Sequence, residues 1–177
     1  MNKTSQIRIG IISDTHGHLD PRIAALLVDC DIAVHAGDIM GQTVLEDMRP
    51  RSGRVVAVRG NNDTEQVWHR DEHAALGKIG EEASIDLPGG SLAVVHGHQY
   101  GGNHPQHDSM RERFPTARAI VYGHSHKMLC DLNTSPWVIN PGAAGRIRTR
   151  GGPSCLILEA SQGEWQLSER RFSEAST

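Results

Sequence analysis

Five times along the chain a short apolar run rich in β-branched residues ends abruptly in glycine, histidine, aspartate or asparagine. The runs cover residues 7–13, 32–36, 55–58, 92–95 and 119–122. They lead into Asp14-Thr15-His16, Gly37-Asp38, Gly60-Asn61-Asn62-Asp63, His96-Gly97-His98 and Gly123-His124-Ser125-His126. Runs of this length and composition predict buried strands. Helical stretches separate the first three. Asp20-Pro21 supplies an N-cap and a proline at the first helical position, with Ile23, Leu26 and Leu27 as the apolar face, and residues 43–48 form a second helix. Strand–helix–strand alternation implies right-handed crossovers and a largely parallel sheet.

The later part of the chain changes character. Residues 84–87 and 91–95 flank Pro88-Gly89-Gly90, a hairpin signal, and residues 155–159 and 165–168 alternate like an antiparallel pair. A helix is expected over 108–113, strands over 127–132 and 137–139, and loops over 101–107 and 142–152. No repeat or low-complexity linker interrupts the pattern, so residues 1–177 are expected to form a single domain of the α/β class. Two sheets packed face to face with helices outside would join the parallel and antiparallel halves.

Composition narrows the function classes. A net charge of -3 gives no global pull toward nucleic acid or an anionic membrane. Two Tyr and two Phe offer little for a nucleic-acid strand to stack on. Cys30, Cys130 and Cys155 are odd in number and widely spaced, which supports neither a disulfide framework nor a thiolate zinc site. No apolar signal core or membrane-length apolar run is present, so a cytoplasmic location is expected. Oligomeric state stays open, homo-oligomers included.

The unusual abundance is histidine, with 11 residues, most of them inside the five clusters. In open α/β sheets, ligands bind where the carboxyl ends of strands open into loops. Alone, Asp14-x-His16 reads as a turn or cap, Gly37-Asp38 says little, and His96-Gly97-His98 is divided between ligand, core histidine and surface loop; five such clusters together read as one converging metal site. Asp14 and His16, two residues apart, would point the same way from an extended backbone, and His124 and His126 repeat that spacing. Asp38 follows a glycine and has two oxygens with which to bridge, Asn61 offers an amide oxygen, and His96 completes the set. With Asp38 shared, these donors fit two ions better than one; two-metal hydrolytic sites hold ions about 3.5–4 Å apart. Imidazole and oxygen donors without thiolate disfavour Mg²⁺ and Ca²⁺ and suit Mn²⁺, Fe²⁺, Zn²⁺ or Ni²⁺.

Taken in order, the five motifs resemble the calcineurin-like metallophosphoesterase superfamily over residues 7–159. Gly60-Asn61-x-Asp63 and Asn140-Pro141-Gly142 are similar to its small bacterial and archaeal phosphodiesterase branch. The resemblance implies a four-layer α/β/β/α sandwich, two mixed sheets flanked by helices, with the site at one edge. It assigns Asp14, His16, Asp38 and His126 to one ion and Asp38, Asn61, His96 and His124 to a second. It further implies attack on a small phosphodiester by a hydroxide shared between the ions, and Mn²⁺ as the most activating metal. Two divalent ions, less the charges of Asp14, Asp38 and hydroxide, leave one positive charge, which matches a diester monoanion better than a monoester dianion.

One departure matters. Larger members of the superfamily carry a histidine after Gly-Asn that assists the reaction; this chain has Asn62, and the small branch likewise lacks that histidine. Asp38, Asn61 and His98 are therefore the candidate catalytic residues, His98 divided between a substrate contact and a supporting role. Asp63 is expected to orient a ligand imidazole. Arg146, Arg148 and Arg150 read as a solvated loop, with an electropositive rim as the alternative; His69, His73, His104 and His107 read as surface residues, and Trp68, Trp137 and Trp165 as packing residues. Competing readings are a non-catalytic scaffold, similar to what a eukaryotic retromer subunit makes of this fold, a phosphomonoesterase, and a nuclease. A filled donor set favours catalysis over the scaffold, and the charge and aromatic content argue against nucleic acid.

Overall fold

Parallel pairing dominates the first half of the chain in a computed structural model, which describes residues 6–101 and 106–174. β1 (Ile7–Ile12) is followed by α1 (Pro21–Leu27), β2 (Ile32–His35), α2 (Gln42–Asp47) and β3 (Arg54–Ala57), and β2 pairs in parallel with both β1 and β3. Asp20 caps α1 as its sequence predicts: its carboxylate accepts from the Arg22 backbone N–H, and Pro21 takes the first helical position. A helical turn over Arg70–Glu72 runs into α3 (His73–Leu76), a pair that the polar sequence there does not signal.

β4 (Glu82–Leu87) and β5 (Gly90–Val95) form the expected hairpin. α4 (His107–Arg113), β6 (Ala119–Val121), β7 (Met128–Asp131), β8 (Trp137–Pro141), β9 (Ser154–Ala160) and β10 (Trp165–Arg171) follow. Antiparallel β9 and β10 extend the first sheet on the far side of β1, giving the order β10-β9-β1-β2-β3. The second sheet has the order β4-β5-β6-β8-β7, with β5, β6 and β8 parallel. Both sheets are mixed, and the loop expected over 142–152 carries no helix or strand.

Side-chain alternation makes the four layers. Ile9, Ile11, Val34, Leu156 and Leu158 of one sheet meet Leu92, Val94, Val121 and Ile139 of the other in a shared core. The opposite face of the first sheet, with Ile12, Ala33 and Cys155, packs on Ile23 and Leu27 of α1 and Val44 of α2. Ala93, Val95, Ile120 and Val138 pack on Met110 of α4. Burying a side chain of this size is worth about 1.5–3 kcal/mol, so strands apolar on both faces are secured in the interior. The consequence for function is directional: β1, β2, β3, β5 and β6 all deliver their carboxyl ends to the same edge of the paired sheets.

Candidate metal centre

Every donor predicted from the sequence lies in a loop at that edge. The loop after β1 is tied to the loop after β2 by backbone hydrogen bonds from Asp14 N to Gly37 O, His16 N to Asp38 O, and Gly17 N to Ile39 O. The extended geometry expected for the Asp-x-His and His-x-His pairs is not what aligns them. Asp14, His16, Asp38, His124 and His126 have φ values of 53°, 48°, 55°, 64° and 57°, in the left-handed region. Successive tight turns, not strand alternation, swing these side chains inward. Such conformations cost L-residues roughly 1–3 kcal/mol each and cluster at functional sites.

Close approach needs glycine at two positions. Gly37, at φ 96°, leaves no room for a Cβ: one would stand 2.8 Å from His96 Cγ and 2.9 Å from the Gly60 nitrogen. A Cβ on Gly60 would collide with Asp38 Oδ1 and its backbone nitrogen. The Gly-Asp and Gly-Asn pairs thus bring the Asp38 backbone against the next loop.

The side chains meet in two halves that share Asp38. In the first, donor atoms of Asp14, His16, Asp38 and His126 all lie within 4.8 Å of one another. His16 Nε2 is 3.1 Å from His126 Nε2 and 3.8 Å from Asp38 Oδ2, and His126 Nε2 is 3.3 Å from Asp14 Oδ1. In the second, His96 Nε2 is 3.2 Å from Asn61 Oδ1 and 3.4 Å from Asp38 Oδ1. The His124 ring joins it with its centroid 5.2 Å from that of His96. Asn61 is exposed at the mouth of the site, while Asp14, Asp38, His96 and His126 are buried.

These residues fit a divalent ion. Donors about 2.0–2.2 Å from a metal stand roughly 3–4.3 Å from one another, and the close approaches of 3.1–3.8 Å seen here fall in that range. Asp14 Oδ1 is buried without any hydrogen-bond partner, an arrangement that is costly unless a cation completes it. Imidazole orientation is also set. His96 Nδ1 lies 2.8 Å from the Ala36 carbonyl, to which it donates, and His16 Nδ1 lies 3.1 Å from Met40 Sδ; in both rings Nε2 is left to face the cluster.

Supporting residues are where sequence reasoning was least complete. Asp63 does not orient an imidazole. Its carboxylate accepts from the backbone N–H groups of Ile39, Met40 and Gly60 and from the Trp68 indole, bracing the loops after β2 and β3. Asn62 is engaged with Asp38, donating from its backbone N–H to Oδ1 at 2.9 Å and from Nδ2 to Oδ2 at 2.7 Å. Asn140 Nδ2 donates to the Gly123 carbonyl at 2.8 Å, fixing the loop that carries His124 and His126. His35, fully buried, accepts from Gly37 N–H at Nδ1, which leaves Nε2–H to donate to Thr15 Oγ1 at 2.9 Å. A histidine inside a strand carries no outward signal of that role.

The remaining expectations divide. His98 stands beside the second half, its ring 5.5 Å from His96, and lines a cavity of about 430 Å³ with Arg59, Asn61 and Leu76. His69 is exposed as expected, but His73 and His107 are half-buried; His73 bonds the Glu65 carbonyl and His107 the Tyr122 hydroxyl. His104 lies outside the described residues. Trp68 and Trp165 are buried, and Trp137 packs against the intersheet core. Arg146, Arg148 and Arg150 are exposed, as a solvated loop is, and Arg148 Nη2 in addition comes within 3.5 Å of His16 Nε2.

Charge placement sets a pH dependence. Burial pushes the Asp14 carboxyl up to about 7. Burial also acts upward on Asp38, but the His96 imidazole and the Asn62 hydrogen bonds outweigh it and hold that carboxyl well below the usual range. Burial pushes the His126 imidazole down to about 4, and lowers His16 and His124 as well. His96 is raised, because its hydrogen bond to Asp38 and the Asp14 and Asp38 charges overcome burial. In the metal-free chain, the Asp14 contribution to stability is therefore full below about 4 and lost as pH rises through about 7. A metal ligand must shed its proton; His126, pushed down to about 4, has done so by pH 6, whereas Asp14 does so only as pH rises through about 7. The rise in melting temperature on adding Mn²⁺ is expected to be larger at pH 8 than at pH 6. Equal shifts at the two pH values would mean that Asp14 is not a ligand.

The profile of the calcineurin-like phosphoesterase superfamily domain matches residues 7–163. A phosphodiesterase from Methanocaldococcus jannaschii is 26% identical over 168 residues, 90% of this chain and 97% of that protein. Among solved structures, a single mutant of Vps29 from Entamoeba histolytica aligns with a TM-score of 0.71, covering 94% of this chain and 100% of its own at 17% identity. An archaeal phosphodiesterase aligns with a TM-score of 0.69, covering 93% of this chain and 100% of its own at 24% identity. Among the described residues no helix is long and apolar enough to cross a membrane.

Proposed function

This chain belongs to the calcineurin-like phosphoesterase superfamily, and we propose that it is a phosphodiesterase dependent on two divalent transition-metal ions, Mn²⁺ the most activating. The observation that carries the reading is the pair of donor clusters meeting at Asp38, one of which holds an unpartnered buried carboxylate oxygen. Asp14, His16, Asp38 and His126 would hold one ion, and Asp38, Asn61, His96 and His124 the other. Bound divalent ions supply Lewis acidity, which lowers the pKa of water and offsets charge on phosphoryl oxygens.

The chain's own residues do the rest. Asn62 and Asp63 fix the carboxylate of Asp38 and the loops on either side of it, so the ligands are in place before substrate arrives. The cavity bounded by Asn61, Leu76 and His98 takes one ester group. His98 is neutral near pH 7, since burial and the neighbouring His96 lower it, and it offers a hydrogen bond to that group. A small phosphodiester is the substrate class; nucleic acid is not.

Leaving-group chemistry tests this. Both polar groups of Asn62 that face the site are engaged with Asp38, so Asn62 gives no proton to the departing oxygen. General-acid help is worth about 10²–10⁴-fold, and without it the rate should depend steeply on leaving-group acidity. With saturating Mn²⁺, bis-p-nitrophenyl phosphate is expected to turn over well, alkyl diesters slowly and matched monoesters poorly. A flat dependence would show His98 acting as the acid. A preference for monoesters would overturn the diester assignment.

A further inference from the structure

On the His16 side of the metal centre lies a second cavity, of about 600 Å³, walled by the loop that follows Asn140-Pro141-Gly142. Arg146, Arg148 and Arg150, at alternate positions of that loop, all line it. Arg148 and Arg150 have φ values of 51° and 42°, a left-handed backbone that L-residues hold only where the surroundings impose it.

The charge of this wall is not balanced. Arg22, the fourth arginine, is neutralised by Asp20 through contacts of 3.0 Å and 2.8 Å. Among the described residues no carboxylate pairs with the guanidinium of Arg146, Arg148 or Arg150. The only other acid on the wall, Glu174, receives the Thr149 hydroxyl. Arg148 lines this cavity and its Nη2 stands 3.5 Å from His16 Nε2, so the arginine wall lies directly beside the metal centre. The cavity beside Asn61 and His98 differs in composition: Asp63, Glu65 and Glu81 line it together with Arg59.

We infer that the arginine cavity is a subsite for a second phosphate on the substrate, so that the chain acts on phosphodiesters whose ester group on this side carries a further phosphate. Planar guanidinium groups match phosphate oxygens in pairs, and a cavity lined by three of them without carboxylate partners favours an anion over a neutral group. The volume exceeds that of a phosphate alone and admits the sugar-sized linker that would join it to the scissile group. The neutral or cationic end of the substrate is directed to the cavity beside Asn61 and His98. This inference rests on the phosphodiesterase reading for its substrate, and its test separates the two.

Binding is measured by calorimetry on the metal-free full chain in EDTA, with thymidine 5′-monophosphate and thymidine 3′,5′-bisphosphate as probes. The bisphosphate is expected to bind about tenfold tighter or more, and the ratio to fall to about one in Arg146→Ala/Arg150→Ala. Arg146→Lys/Arg150→Lys, which keeps charge but not the planar fork, should hold an intermediate ratio and guards against a folding defect in the alanine pair. In parallel, thymidine 5′-p-nitrophenyl phosphate with and without a 3′-phosphate is assayed under saturating Mn²⁺, and the phosphorylated ester should show the higher kcat/KM. Equal binding of the two probes, or a preference that survives the alanine pair, overturns the subsite. Hydrolysis of neither ester overturns the phosphodiesterase reading and the substrate assigned from it, and the binding ratio then judges the arginine cavity alone.

Discussion

Asp38→Asn is expected to lower turnover by about 10²–10³-fold or more, with the metal-free fold retained. The two oxygens of Asp38 face different halves of the site, Oδ1 lying 3.4 Å from His96 Nε2 and Oδ2 lying 3.8 Å from His16 Nε2. An asparagine preserves the shape but replaces one oxygen with an amide nitrogen that cannot ligate, and removes one of the two carboxylate charges in the cluster. The fold tolerates the change because Asn62 can turn its own amide to meet the new one, and the Asn62 backbone N–H keeps an oxygen to donate to. Metal content per chain should fall from two toward one in elemental analysis of reconstituted protein, and circular dichroism should match the parent. Parent-like rates at limiting metal would remove Asp38 from the bridging role.

What the sequence made legible was set by which interactions are local. Strand runs, the Asp20-Pro21 cap and the β4–β5 hairpin are decided by near neighbours, and each is found within a residue or two of its expected place, save β10, which runs three residues beyond 168 to Arg171. The donors were legible because strand ends are visible as changes of composition. Backbone conformation was not: nothing in Asp14-Thr15-His16 announces φ values near 50°, which arise from hydrogen bonds to Gly37, Asp38 and Ile39 in another loop. The same limit hid His35 and misassigned Asp63. Their partners lie in segments that only the assembled sheets bring together, and a buried polar group is recognised by its partners rather than by its type. The arginine loop shows a further case, since its charge was evident but its position beside His16 depends on how β8 and β9 leave their sheets.

Asp63→Ala should have the larger effect on stability, a loss of about 3–5 kcal/mol in denaturant unfolding of the metal-free protein. Asp63 is buried, yet it touches none of the proposed ligand side chains. Its Oδ1 accepts from Met40 N–H at 2.8 Å, Trp68 Nε1–H at 2.9 Å and Ile39 N–H at 3.0 Å, and its Oδ2 from Gly60 N–H at 2.8 Å. Truncation strands three backbone donors and an indole, each costing about 1–3 kcal/mol when buried without a partner, less whatever water entering the gap restores. The three backbone donors belong to the residues that follow Asp38 and precede Asn61, so the loss loosens both loops. Turnover and Mn²⁺ affinity should therefore fall together with stability, a pattern that Asp38→Asn does not share. Asp63→Asn keeps one acceptor oxygen and should recover part of both. An alanine variant within about 1 kcal/mol of the parent, below the cost expected for even one stranded buried donor, would show that the loops hold their shape without this carboxylate.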